Sequence, residues 1–172
     1  MNTGGRVLRR IGVAAAAVAA LVLLPVSTAF AQPSGGVVHA FFITADVGSG
    51  PGPFLLHGAI NAACTEILGN NVDHAVCPNG TFEVNHSANG GTPSFNLNPV
   101  TCIATVQIVG VPFSFQNGTG AYAGIGGNGL ATIRVNQVLP RNSDGSCNTS
   151  ETAQPVAGLE VITATANVSF AT

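Results

Sequence analysis

Two stretches of this chain alternate between apolar and polar side chains, and that alternation limits the fold more than any other feature. Over Glu160 to Phe170, Ile162, Ala164, Ala166, Val168 and Phe170 fall on one side, and Thr163, Thr165, Asn167 and Ser169 on the other. Over Thr81 to Ser87, Phe82, Val84 and His86 face one way, and Thr81, Glu83, Asn85 and Ser87 the other. Successive side chains of a β-strand point to opposite faces, so a period of two marks a strand with one buried face. Beyond the N-terminal segment, no stretch shows the 3.6-residue period of a helix.

Further strands are predicted over Val37 to Ala45, Phe54 to Ile60 and Ala63 to Leu68, and over Ser94 to Leu97, Val100 to Val109 and Pro112 to Gln116. They are rich in aromatic and β-branched residues, which suit a pleated, half-buried surface. Leu130 to Leu139 sets Ala131, Ile133 and Val135 against Thr132, Arg134 and Asn136. Turn chemistry separates the strands at Gly48 to Pro53, Gly69 to Asn71, Asn79-Gly80 and Asn89 to Gly91, and a polar loop spans Pro140 to Pro155. About eight short strands predict an all-β fold, an antiparallel β-barrel, with a β-sandwich as the alternative. Closure into a barrel removes the unpaired edges that would promote aggregation in a chain with so little charge.

The N-terminus has the three parts of a secretory signal. Arg6, Arg9 and Arg10 are basic, Ile11 to Leu24 is apolar apart from Gly12, and Ala29-Phe30-Ala31 supplies small residues for cleavage. The apolar run falls short of the roughly 20 residues that span a bilayer. Ile11-Gly12-Val13 lacks the character of a twin-arginine signal, no Cys stands at the cut, and no apolar tail follows. The expectation is a signal peptide over 1–31 and a single secreted domain over 32–172, with no membrane anchor. The chain has no Lys, and three of its five arginines lie in the signal. Two arginines then stand against seven carboxylates, a net charge of −5. That balance cannot build the basic patch a nucleic acid requires.

Four cysteines in an exported chain predict two disulfides. Three pairings can be drawn, and the expected one is Cys64–Cys77 with Cys102–Cys147. Their spacing matches no zinc motif, so no metal and no cofactor are expected. The Ala- and Gly-rich, Lys-free composition fits a GC-rich bacterial genome. The five Asn-x-Ser/Thr sequons, such as Asn79-Gly80-Thr81, then arise from composition. No Gly-x-Ser-x-Gly elbow occurs, and no Lys follows Gly118-Thr119-Gly120 as a phosphate loop would need. No catalytic residue is assigned. Glu83, His86 and Tyr122 are the candidate contacts at a lumen or its rim, and Gly118 to Gly129 is expected to form a barrel corner with Tyr122 buried.

That segment, Gly-Thr-Gly-Ala-Tyr-Ala-Gly-Ile-Gly-Gly-Asn-Gly, resembles the Gly-rich signature of the plant dirigent and allene oxide cyclase barrels. With Asn98-Pro99-Val100-Thr101-Cys102 it is also similar to a group of small uncharacterised secreted actinobacterial proteins. The first resemblance implies an eight-stranded antiparallel barrel with an apolar lumen, although none of those families' catalytic residues maps onto a position here. The functional expectation is a non-catalytic secreted barrel that binds a small apolar ligand or acts on a cell-envelope component. The alternatives are a dirigent- or cyclase-type enzyme that steers a reactive intermediate, and a structural or surface-adhesion protein.

Overall fold

The computed structural model describes residues 33–86 and 90–171. The signal-peptide reading of 1–31, and Ser87 and Asn89, lie outside them. Among the described residues, nine strands follow in chain order: β1 (Gly36–Thr44), β2 (Pro51–Gly58), β3 (Ala62–Ile67), β4 (Val72–Cys77), β5 (Gly80–His86), β6 (Thr92–Asn98), β7 (Ile103–Gln116), β8 (Ile125–Val138) and β9 (Ala157–Phe170). They form one antiparallel sheet in the order β5-β4-β3-β2-β1-β9-β8-β7-β6. A further pairing of β5 with β7 closes eight strands into a barrel and leaves β6 outside it.

The closure depends on the length of β7. Its second half, Phe113 to Gln116, pairs with β5, while its first half, Ile103 to Val109, pairs with β6. Between them the register against β8 shifts at Val109/Val111. Gly110 sits at that bulge with φ +77°, a conformation that L side chains rarely adopt. The segments expected as two strands, Val100 to Val109 and Pro112 to Gln116, are thus one bulged strand. Val100 and Thr101 belong instead to the turn that precedes it.

Two other expectations change. β4 was not foreseen, because its polarity is inverted: Asp73 is buried, while Val76 is exposed. The Gly-rich stretch is only partly a corner. Gly118 to Gly124 turns through a short 3-10 helix (Gly120–Tyr122), and β8 begins at Ile125, inside the glycine run. Gly124 lies at the end of that turn with φ +74°, and a Cβ there would come within 2.6 Å of the Ala171 carbonyl oxygen.

Inward-facing side chains fill one half of the barrel. Phe82 lies at the centre of this packing, 1% exposed, with its ring 5.2 Å from Tyr122, 5.6 Å from Phe115 and 6.3 Å from Phe54. The tilted and edge-on geometries are those that aromatic quadrupoles favour. The hydroxyl of Tyr122 makes no hydrogen bond among the described residues, and burial raises its pKa.

The cysteines pair as Cys64–Cys77 and Cys102–Cys147, as expected. The first staples β3 to β4. The second ties the turn before β7 to the loop between β8 and β9. In the chain-entropy model, loops with sequence separations of 13 and 45 contribute roughly 3 and roughly 4 kcal/mol. Replacing Cys102 and Cys147 together by Ala is therefore expected to destabilise the protein more than replacing Cys64 and Cys77. Urea unfolding of the two double variants checks the order.

Candidate functional site

The other half of the barrel is not filled. A cavity of about 110 Å³ lies inside it, floored by Phe54, Phe113 and Phe115. It exists because three neighbouring strands place their smallest side chains in one row. Ala40 of β1 is in register with Ala164 of β9, and Ala164 with Ala131 of β8. All three line the cavity. Larger residues on either side, such as Phe42 and Val38 of β1, are fully buried, so the gap is local to the alanine row.

The same cavity is bordered by four titratable side chains: Glu66 of β3, Asp73 of β4, His86 of β5 and Glu160 of β9. Three are buried carboxylates, and His86 is half-buried. Two of the carboxylates are tied to local backbone. Asp73 Oδ1 accepts from Gly69 N at 2.8 Å and from His86 Nε2 at 3.2 Å. Glu160 Oε2 accepts from Gly48 N at 2.7 Å. These bonds anchor the β1–β2 and β3–β4 loops. Since a carboxylate has no proton to give, Nε2–H of His86 is the donor.

Glu66 differs from the other two. It is 4% exposed, borders the cavity, and makes no side-chain hydrogen bond among the described residues. Its pKa is raised from the ordinary 4.5 to about 8, first by burial and then by the negative charge of Asp73. Loss of hydration disfavours the charged form, and a like charge adds to the effect. At neutral pH its carboxyl is therefore mainly protonated and can donate a hydrogen bond into the cavity. Among the described residues, no arginine lines this space.

The lumen wall continues beyond the barrel. Glu160 is in register with Val135, Val135 with Val106, and Val106 with Phe95 of β6. Register partners on adjacent strands share a face. The projecting sheet of β6, β7, β8 and β9 thus carries an apolar apron toward the lumen, ending at Phe95, which is 66% exposed.

Of the three contacts expected from sequence, only His86 borders the cavity. Glu83 lies between buried Phe82 and Val84 and turns outward. There it accepts from Gln116 Nε2 at 3.1 Å and Asn117 Nδ2 at 2.7 Å, bonds that lower its pKa. Tyr122 belongs to the packed half, against Phe82. Sequence reasoning missed Glu66, Asp73 and Glu160, although a signal for each was present. Strand parity puts Glu66 on the face of Cys64, Asp73 on the face of Cys77, and Glu160 on the face of Ile162. The disulfide cysteines and the apolar row mark those faces as inner ones.

The molecule is thus a closed, disulfide-stapled β-barrel with a small apolar chamber whose polar border is acidic. No family model, curated protein or solved structure matched this chain.

Proposed function

We propose that the protein is exported and binds a small, mainly apolar ligand inside the barrel. The observation that carries this reading is the chamber framed by Ala40, Ala131 and Ala164. Natural cores rarely leave such space, because interiors pack as densely as organic crystals. An apolar cavity of about 150 Å³ is enough to hold benzene, so a space of about 110 Å³ suits a small ring or a short branched chain. The exposed apron from Phe95 to Val135 offers further apolar surface to a ligand that extends past the barrel. Export is supported by the three-part N-terminus and by two disulfides, which persist in oxidising compartments.

The test is to fill the chamber. Ala164→Phe is expected to abolish binding of cyclopentanol, measured by ligand-observed NMR, and to leave the protein folded. Overpacking a core costs about 1–3 kcal/mol, and the gap beside Ala164 reduces that cost. Binding that survives in a folded Ala164→Phe protein would place the site elsewhere.

One observation favours a second reading, an enzyme that steers a reactive intermediate. The chamber holds both a mainly protonated carboxyl, Glu66, and an imidazole oriented by Asp73, two side-chain types that serve in proton transfer. Under this reading a bound compound is recovered chemically altered, and His86→Asn abolishes the change while binding persists.

A further inference from the structure

Among the described residues, the border of the chamber has three carboxyl groups and no strong base. Each of the two arginines within the described residues is placed elsewhere. Arg134 is exposed on β8, where its register partners Gln107 and Val161 lie on the outer face. Arg141 is in the loop after β8, bonded to the carbonyl oxygens of Gly145 and Val100. The chain has no lysine at all. His86, the one basic group at the chamber, is engaged with Asp73. Asp73 and Glu160 also receive backbone N–H donors, but Glu66 receives nothing from the described residues. No fully buried side-chain oxygen among the described residues lacks a partner, so the unpaired carboxyl of Glu66, though only 4% exposed as a residue, keeps its oxygens open to the chamber, where a ligand can meet them.

Given that the chamber binds a ligand, as proposed above, we infer that the ligand carries an ammonium group on a compact apolar body, and that Glu66 is its counterion. An ammonium supplies the cationic donor the chamber lacks, and its apolar body takes the alanine row. A carboxylate ligand would instead meet the charges of Asp73 and Glu160 in a site of low dielectric, where like charges repel strongly. Metal ions are poorly served, since no group of three or more His, Cys, Asp or Glu among the described residues is arranged to hold one. Because Glu66 is protonated when free and ionised when paired, binding releases its proton to solvent.

Three probes with the same ring separate charge from shape: cyclopentylammonium, cyclopentanol and cyclopentanecarboxylate. Their affinities for the whole protein at pH 7 are read by NMR titration. Hydrogen bonds to charged groups are stronger than neutral ones, so the ammonium is expected to bind about tenfold or more tighter than the alcohol. The carboxylate is expected not to bind measurably. Glu66→Gln should remove the preference for ammonium over the alcohol, because Gln keeps the shape and a donor but carries no charge. Ala164→Phe should abolish binding of every probe. Equal affinity for alcohol and ammonium, binding of the carboxylate, or a preference that survives Glu66→Gln would overturn the assignment of an ammonium and leave the binding chamber standing. If no probe binds, including the alcohol, the chamber reading itself falls, and this inference with it.

Discussion

The protein is expected to lose stability as pH rises from 5 to 9, and Glu66→Gln to abolish most of that loss. In the unfolded chain Glu66 titrates near its ordinary 4.5, while in the folded barrel burial and the charge of Asp73 move it to about 8. Between those values the folded state keeps a proton that the unfolded state has released. Stability therefore falls as pH rises wherever the folded state binds more protons. The contribution is fully present below the unfolded pKa and is lost as pH climbs through about 8. At about 1.36 kcal/mol per pKa unit, the loss is on the order of 3–5 kcal/mol, with relaxation and water entry acting to reduce it.

Glu83 and Asp144, whose pKa values are lowered by hydrogen bonds, act in the opposite sense and at lower pH. Measurements at pH 5 and above thus separate Glu66 from them. Denaturant unfolding at pH 5, 7 and 9 is the measurement. Glu66→Gln should be more stable than the parent at pH 9 and close to it at pH 5. An equal slope in both proteins would mean that another group causes the pH dependence.

Phe82→Ala is expected to be among the most damaging single substitutions in the barrel. Phe82 is 1% exposed and touches three other rings, Phe54, Phe115 and Tyr122. Truncating a buried Phe removes its transfer free energy and leaves a hole that closes only in part, at a cost of about 3–5 kcal/mol. Many small domains have only about 5–15 kcal/mol in all. Phe95→Ala, on the exposed apron, should shift stability by less than about 0.5 kcal/mol. Thermal unfolding of the two variants compares them directly. Similar melting temperatures would show that the aromatic cluster does not hold the packed half together.

The two predictions concern opposite halves of one barrel, and the halves were unequally legible. The aromatic half follows from alternation. Phe82 and Val84 on β5, and Ala166 and Val168 on β9, are buried where period two places them. The acidic half breaks the usual assignment of polarity. On β4 the charged Asp73 is inside and Val76 outside, so a polarity pattern alone does not register a strand there. Parity does not depend on polarity: Cys77, buried in a disulfide, fixes the side on which Asp73 must lie. Glu66 and Glu160 follow in the same way from Cys64 and Ile162.

Local chemistry alone determined that this chain forms strands, where most of them run, and that four cysteines staple them, because side-chain alternation and turn residues act within a few positions of themselves. Three matters were decided only by the tertiary structure. Gly110 joins two apparent strands into one, because its bulge lets a single strand serve both β5 and β6. The chamber arises because alanines far apart in sequence fall into register, and a lone small residue does not announce a cavity. Glu66 holds its proton near neutral pH because closure of the barrel removes it from water beside Asp73, and the desolvation of a charge depends on everything packed around it.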